Sequence, residues 1–358
     1  MKKVKKSIWL LSAYRSDSHA CWADWLVDTF KEFEWHKLEL PGRHFRWRIR
    51  GNPLSWLQQL PEEKPDLILA TSMVDLATLK GLHPRLADIP CLYYFHENQF
   101  AYPVSKNQID SVEPKMVQLY GGLAADRLLF NSVYNRDSFL DGVASLLKLL
   151  PDEVPDGIED TLRSRSDILP VVVDPVGEGS AVGAKAKNKK LILWNHRWEY
   201  DKAPQVFTNA LLQLDKLGAD FELALLGSRP KTKPDFLLEI EDKLGDKIIV
   251  NGKVCREEYR DYLAQASIVV STAIHEFQGL SVLEAICAGA VPVVPDDLCY
   301  REQYAEKYRY KAGDSKVLAE KLYDWLAVLP EPPDVSYWSG GEITGRWYEL
   351  LREPLIKS

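Results

Sequence analysis

No run in the 358 residues approaches the roughly 18 consecutive apolar positions of a membrane-spanning helix. Cysteine is sparse: Cys21, Cys91, Cys255, Cys287 and Cys299 are odd in number, scattered and never spaced C-x-x-C. That excludes a disulfide-stapled scaffold, and no Cys/His cluster has the spacing of a metal site. Cys91 and Cys287 sit in apolar runs, which reads as reduced core thiols in a cytoplasmic protein. No short repeat recurs. The opening "MKKVKKSIWLLSAYRS" has a basic flank, but its apolar run stops at Tyr14, too short for a signal peptide. Positive charge is in deficit, with 45 Lys and Arg against 52 Asp and Glu and a formal net charge of −7. This argues against indiscriminate nucleic-acid binding while leaving room for a local basic patch.

What is present suits a soluble globular chain of two domains, with 46% hydrophobic and 27% charged residues. Short apolar runs rich in β-branched residues recur in the second half: "LILWNHR", "FELALLG", "KIIVNGKV", "SIVVSTA" and "AVPVVP". Helix-period segments such as "APQVFTNALLQLDKLG" and "LSVLEAICAGA" separate them. The first half repeats the scheme with "SIWLLSAY", "PDLILATS", "PCLYYFHE" and "DRLLFNS". Continuous apolar strands alternating with amphipathic helices predict parallel sheets covered on both faces. The expected fold is α/β, two doubly wound Rossmann-like domains facing a central cleft. The first spans 1–174 and the second 191–340, with a flexible linker at 175–190 in "DPVGEGSAVGAKAKNKK". A helix over 341–358 is expected to return to the first domain.

In such sheets ligands bind beyond the carboxyl ends of the strands. After "SIVVSTA", Glu276 precedes a helix and Glu284 lies eight positions on. Gly279 and Leu280 open that helix, where backbone N–H groups and the positive dipole end suit a phosphate. Glu276 can accept from sugar hydroxyls and Glu284 from a vicinal diol such as a ribose; the bland alternative is a surface Glu276 and a capping Glu284. After "LILWNHR", Arg197 and Lys202 bracket a strand-to-helix turn, where fixed cations would stabilise a diphosphate leaving group. The alternative is ordinary ion pairing with Glu199 or Asp201. In the first half, His96, Glu97 and Asn98 leave a strand end together, and Asn131 and Ser132 leave another. Ser132 is either a ligand or the cap of the next helix.

"HEFQGLSVLE" resembles the E-x7-E motif of retaining GT-B glycosyltransferases of family 4, and "NHRWEYDK" their diphosphate-holding Arg and Lys. More narrowly, "YYFHENQFAYPV", "FNSVYNRDSF", "HRWEYDK" and "STAIHEFQGLSVLEA" together resemble the tRNA-queuosine α-mannosyltransferases, over most of the chain. That family moves mannose from GDP-mannose onto queuosine in the anticodon loop of tRNA-Asp. The resemblance implies Arg197, Lys202, Glu276, Gly279, Leu280, Glu284 and Ser132 as donor ligands, and His96 and Glu276 at the reacting sugar. It implies Ser18, His19, Glu97 and Asn98 on the acceptor side, and no metal or other cofactor. The loop "YRSDSH" lacks the glycines that family members place before the Ser-His pair. Retention without an enzymic nucleophile implies front-face attack, the departing phosphate helping to take the acceptor proton.

"RHFRWRIRG", residues 43–51, concentrates Arg43, Arg46, Arg48 and Arg50 around Phe45 and Trp47 in an acidic chain. The expectation is an RNA contact: Trp47 or Phe45 stacks on a base while Arg46, Arg48 and Arg50 meet the backbone. The alternative is a β-hairpin with arginine stems over exposed rings. Two rival functions remain: a glycosyltransferase with a lipid or small-molecule acceptor, and a catalytically silent RNA-binding protein. For the lipid reading, "HACWADWLVDTFKEFEW" is expected to be an amphipathic helix with Trp22, Trp25, Leu26 and Phe33 on its apolar face. Its acidic polar side would be repelled by anionic lipid.

Overall fold

Runs of aliphatic side chains become the central strands of two parallel sheets. A computed structural model describes residues 5–102, 111–173, 186–229 and 234–357. Unit 1 comprises Met1–Val171 with Gly341–Ser358, and unit 2 comprises Val172–Gly340.

Unit 1 holds β1 (Ser7–Arg15), β2 (Glu34–Pro41), β3 (Leu67–Thr71), β4 (Cys91–Phe95), β5 (Arg127–Phe130) and β6 (Ser166–Ile168), in spatial order β2-β1-β3-β4-β5-β6. Its helices are α1 (Asp17–Thr29), α2 (Phe45–Ser55), α3 (Leu76–Leu82), α4 (Glu113–Ala124), α5 (Val133–Leu147) and α6 (Ile158–Ser164). Unit 2 holds β7 (Asn188–Trp194), β8 (Glu222–Leu225), β9 (Ile248–Asn251), β10 (Ala266–Val270), β11 (Val291–Pro295) and β12 (Arg309–Tyr310), in order β12-β11-β10-β7-β8-β9. Around it run α7 (Pro204–Lys216), α8 (Asp235–Leu244), α9 (Arg256–Gln265), α10 (Leu280–Cys287), α11 (Tyr300–Gln303) and α12 (Ser315–Ala327). The last helix, α13 (Gly341–Lys357), belongs to unit 1, where Trp347 packs 5.4 Å from Tyr94 and 5.8 Å from Trp22.

All strand pairs are parallel. Counted within unit 2, the order is the dinucleotide-fold 3-2-1-4-5-6, so the chain reverses direction across the sheet between β7 and β10. The crevice at that reversal is where such sheets bind ligands. In unit 1 the reversal falls between β1 and β3. Strands β3, β4, β10 and β11 are buried at every residue, as central strands of doubly covered sheets must be. Among the described residues no helix is long and apolar enough to cross a membrane.

Several expectations need correction. Strand β2, "EWHKLELP", was not foreseen, because an edge strand buries little and its polar residues hide the pattern. Residues 175–185 of the expected linker lie outside the described residues. Strand β7 begins inside that linker, at Asn188, because its first three residues are polar and only the last four are buried. Helix α1 stops at Thr29, so Phe33 is not on it, and its apolar face is spent on the core: Trp22 stacks on Tyr94 at 4.7 Å and Leu26 is fully buried. All five cysteines are free; Cys91 is buried as expected, but its buried counterpart is Cys299 rather than the half-buried Cys287.

"RHFRWRIRG" is no hairpin. It enters α2 through a left-handed His44, and that helix buries Ile49, Gly51, Asn52 and Pro53. Pro53 has no N–H to give the Ile49 carbonyl four residues earlier, which ordinarily breaks a helix. The Asn52 amide substitutes, donating to Ile49 O at 3.1 Å, to Arg48 O at 2.8 Å and to Met73 O at 3.1 Å. The exposed face carries Arg46, Trp47 and Arg50, with Trp47 50% exposed and its ring laid over Gly51, where a Cβ would meet it at 2.6 Å. Arg48 is half-buried. Arg50 is paired with Asp75 and reaches Thr78 Oγ1 at 3.2 Å, so part of its charge is used within the protein.

Candidate active site

At the reversal of the unit 2 sheet, the segments after β7 and β10 are sewn together. Ile274 N donates to Asp201 O at 2.9 Å, and Thr272 Oγ1 donates to Lys202 O at 2.7 Å. Gly227, after β8 with φ +97°, lets that loop close on the His196 carbonyl where no side chain would fit. These contacts bring Lys202 and Glu276 together although 74 positions separate them.

Lys202 is buried and donates to His275 O at 2.9 Å and to Glu276 Oε2 at 3.1 Å, with Asp201 Oδ2 at 3.3 Å. Burial works against its ammonium, but Glu276 and Asp201 hold its pKa above the ordinary lysine value. Burial alone would raise the Glu276 carboxyl; Lys202 and His196 outweigh it and bring the pKa down to about 2. Glu276 is therefore ionised across the physiological range, and its other oxygen accepts from Phe277 N at 3.1 Å. The surface alternative for Glu276 does not hold. The pair has an acid signature. Glu276 ionises more readily folded than unfolded, so its stabilisation is complete above its ordinary value of 4.5 and is lost as pH falls toward about 2. The difference in unfolding free energy between wild type and Glu276→Gln, followed by denaturant titration, is expected to shrink by about 3 kcal/mol over that window. A gap that stays constant with pH would contradict the pairing.

Arg197 is exposed and meets Glu199 at 3.3 Å, the ion pair named as its alternative role. Gly279 sits at φ +69° before α10, followed by the half-buried Leu280. It was expected to admit a ligand; what approaches it is the Tyr300 ring, 2.9 Å from where a Cβ would lie. Tyr300 in turn donates to Ser271 Oγ at 2.9 Å. Gly279→Ala is expected to destabilise unit 2 by about 1–3 kcal/mol, read by chemical unfolding, since both the backbone and Tyr300 resist a methyl. Glu284 caps nothing: within α10 its Oε2 accepts from the Tyr259 hydroxyl at 2.7 Å. His196 completes the wall, its Nδ1 3.1 Å from Ser281 Oγ, with burial and then Lys202 lowering its pKa to about 4.

In unit 1, His19 and His96 are buried and stack at 4.1 Å, with the Trp22 ring at right angles to His96 and the ring centroids 4.7 Å apart. Burial lowers both pKa values, His19 to about 4 and His96 well below the ordinary value, so the pair is neutral. His96 can exchange hydrogen bonds but brings no charge. Its Nε2 and the Nδ1 of His19 are buried without a partner among the described residues. Ser18 is exposed, 3.3 Å from Ser16 Oγ.

Two residues in this half are engaged by the protein itself. Asn98 is fully buried: its amide donates to Asn135 Oδ1 at 2.9 Å and Ser138 Oγ at 3.0 Å, and its oxygen accepts from Phe100 and Ala101. It fastens the turn after β4 and cannot also face an acceptor. Ser132 is the cap of α5, the other role considered for it, with its Oγ accepting from Asn135 N at 3.0 Å. Asn131 donates to His96 O at 2.8 Å, fixing the backbone of that histidine. The Glu97 carbonyl accepts from Ser72 Oγ at 2.9 Å. Sequence reasoning missed Tyr259, Asn195, Tyr300 and Gly227, none of which carries a local signal; Gly227, in "LLGSR" at a strand end, came nearest to one. Among the described residues no group of three or more His, Cys, Asp or Glu is arranged to hold a metal ion.

Residues 7–173 match the family model described as tRNA-queuosine alpha-mannosyltransferase N-terminal, and residues 178–331 match glycosyl transferases group 1. A curated tRNA-queuosine alpha-mannosyltransferase from Drosophila melanogaster is 33% identical over 334 residues, 91% of this chain and 88% of its own. Among solved structures, a sucrose-phosphate synthase from Thermosynechococcus elongatus superposes with a TM-score of 0.69 at 12% identity, covering 99% of this chain and 100% of its own. A glycosyltransferase from Rickettsia africae gives 0.68 at 14% identity with the same coverage. The Anabaena protein HepE, crystallised with UDP and glucose, gives 0.59 at 14% identity over 91% of this chain and 90% of its own. These structural likenesses show the GT-B fold.

Proposed function

Because the chain belongs to the tRNA-queuosine alpha-mannosyltransferase family of glycosyltransferases, we propose that it moves mannose from GDP-mannose onto the queuosine nucleoside at the anticodon wobble position of tRNA-Asp, with retention. The observation that carries this reading is the near full-length likeness to the Drosophila enzyme. The geometry of unit 2 supports it, since Lys202, Glu276 and Glu284 gather at the sheet reversal.

In this reading Lys202 and Arg197 face the diphosphate with the start of α10, without a metal. Fixed cations there stabilise the charge that grows as the leaving group departs. Glu276, ionised beside Lys202, accepts from sugar hydroxyls, and Glu284 accepts from the ribose. The bond from the anomeric carbon to phosphate breaks, the acceptor oxygen bonds the same face, and its proton passes to the departing phosphate. His96, neutral, hydrogen-bonds at the sugar, with His19 stacked behind it. The tRNA loop meets Arg46, Trp47 and Arg48 on α2, in a cytoplasm that keeps the five thiols free.

The test is mass spectrometry of nucleosides from queuosine-containing tRNA incubated with the protein and a panel of sugar nucleotides. One added hexose on queuosine, with GDP-mannose alone, is the expected result; no change with any donor would overturn the proposal. One observation favours a lipid acceptor as a second reading. Helix α2 exposes Trp47, Leu54 and Arg46 along one face, a combination that also docks helices on anionic membranes. Cosedimentation with anionic vesicles in competition with tRNA separates the two.

A further inference from the structure

Glu284 is held by a side chain on another helix. Its Oε2 accepts from the Tyr259 hydroxyl of α9 at 2.7 Å. The Tyr259 oxygen accepts from Asn195 Nδ2, just beyond β7, at 3.1 Å, and the same amide donates to Ser281 O in the first turn of α10 at 2.7 Å. One chain of hydrogen bonds thus ties α9, the end of β7 and the start of α10 around a single carboxylate.

The phenol has one hydrogen to give and gives it to Glu284, and Asn195 fixes its lone pair, so the ring has one orientation here. That fixes the carboxylate as well, because a hydrogen bond from a neutral donor to an anion is strong and directional. Among the described residues no hydrogen bond engages the other carboxylate oxygen. Burial pushes the Glu284 pKa up and the Tyr259 hydrogen bond pulls it back, so the phenol also favours the ionised, accepting form.

We infer that Tyr259 is a positioning residue for the donor nucleotide, holding Glu284 with one oxygen turned out to accept from the vicinal hydroxyls of the ribose. The inference rests on the reading of Glu284 as the ribose ligand. It makes the preference for a ribonucleotide a property of two helices. Tyr259→Phe keeps the ring and removes the hydroxyl with its two hydrogen bonds, the one to Glu284 and the one from Asn195. A Glu284 free to rotate accepts less well, and only nucleotides with ribose hydroxyls register the loss.

The experiment is calorimetric titration of GDP and 2′,3′-dideoxy-GDP into wild type, Glu284→Gln, Tyr259→Phe and Asn195→Ala. UDP and its dideoxy analogue run in parallel, so that base identity does not decide the outcome. Wild type is expected to prefer the ribonucleotide on the order of a hundredfold, and Glu284→Gln to lose that preference. Tyr259→Phe should cut it about tenfold with little change in affinity for the dideoxy form, and Asn195→Ala should cut it less. If Tyr259→Phe weakens both nucleotides equally, or keeps the wild-type ratio, the inference is overturned. If wild type itself does not discriminate, the reading of Glu284 fails and takes the inference with it. Thermal melting of each variant identifies any that do not fold, and Asn195→Ala then decides.

Discussion

Glu276→Gln is expected to lower mannosyl transfer by about 10²–10³-fold, with a loss of donor hydrolysis of similar size. The substitution is nearly isosteric, so packing is kept and charge is what changes. Lys202 then loses its nearest anionic partner, while Asp201 at 3.3 Å and the His275 carbonyl remain. A buried ammonium missing one anion is costly, and it shifts to regain partners. On the proposed reading, the sugar meanwhile loses an ionised acceptor at the reacting end. Because the two residues act as one unit, Lys202→Met combined with Glu276→Gln is expected to fall far short of the product of the single effects. Initial rates for transfer and hydrolysis, with thermal unfolding as the control for folding, read this out. Transfer within about threefold of wild type in a folded Glu276→Gln would remove the residue from the chemistry.

Arg46→Ala combined with Arg48→Ala should abolish detectable transfer to tRNA while slow hydrolysis of the sugar nucleotide continues. Arg46 projects from the open face of α2, and Arg48 lies half-buried beside Trp47. The Asn52 amide that holds the helix together bonds Arg48 through its backbone carbonyl, a group that alanine retains. Folding should therefore persist. If the two guanidiniums meet phosphates, tRNA affinity in wild type falls steeply with salt, and the slope in the double variant is shallower by about two. Filter binding across a salt series measures both. Equal loss of transfer and hydrolysis, or an unchanged slope, would count against α2 as the acceptor surface. Arg50 is a poor choice for this experiment, because its pairing with Asp75 mixes stability with binding.

The central strands were legible because a parallel strand covered on both faces must be apolar throughout, and nothing else in the chain looks like "LILAT" or "ASIVV". The carboxyl ends of those strands were legible for the same reason, and with them the neighbourhoods of Lys202, Glu276 and Glu284, whereas the reversal between β7 and β10 emerged only from the strand order. Edge strand β2 was not legible, since exposure removes the requirement for apolar residues. Helix α2 was not foreseen, and Gly51 and Pro53 are residues that ordinarily interrupt a helix. Rescue of the Ile49 carbonyl by Asn52 is a tertiary arrangement with no trace in composition. Asn98 looked like a ligand because polar residues after a strand often are. Only its five hydrogen bonds, to four residues, reveal it as a fastening of the β4 turn. Tyr259 was invisible because its one decisive contact lies 25 positions away on another helix.

A crystal of the protein soaked with GDP measures most directly whether the reversal of the unit 2 sheet is the donor site. The diphosphate is expected beside Lys202 and the start of α10, with the ribose hydroxyls against Glu284. Nucleotide bound elsewhere, with Glu276 and Lys202 still closed on each other and Glu284 touching only Tyr259, would contradict it.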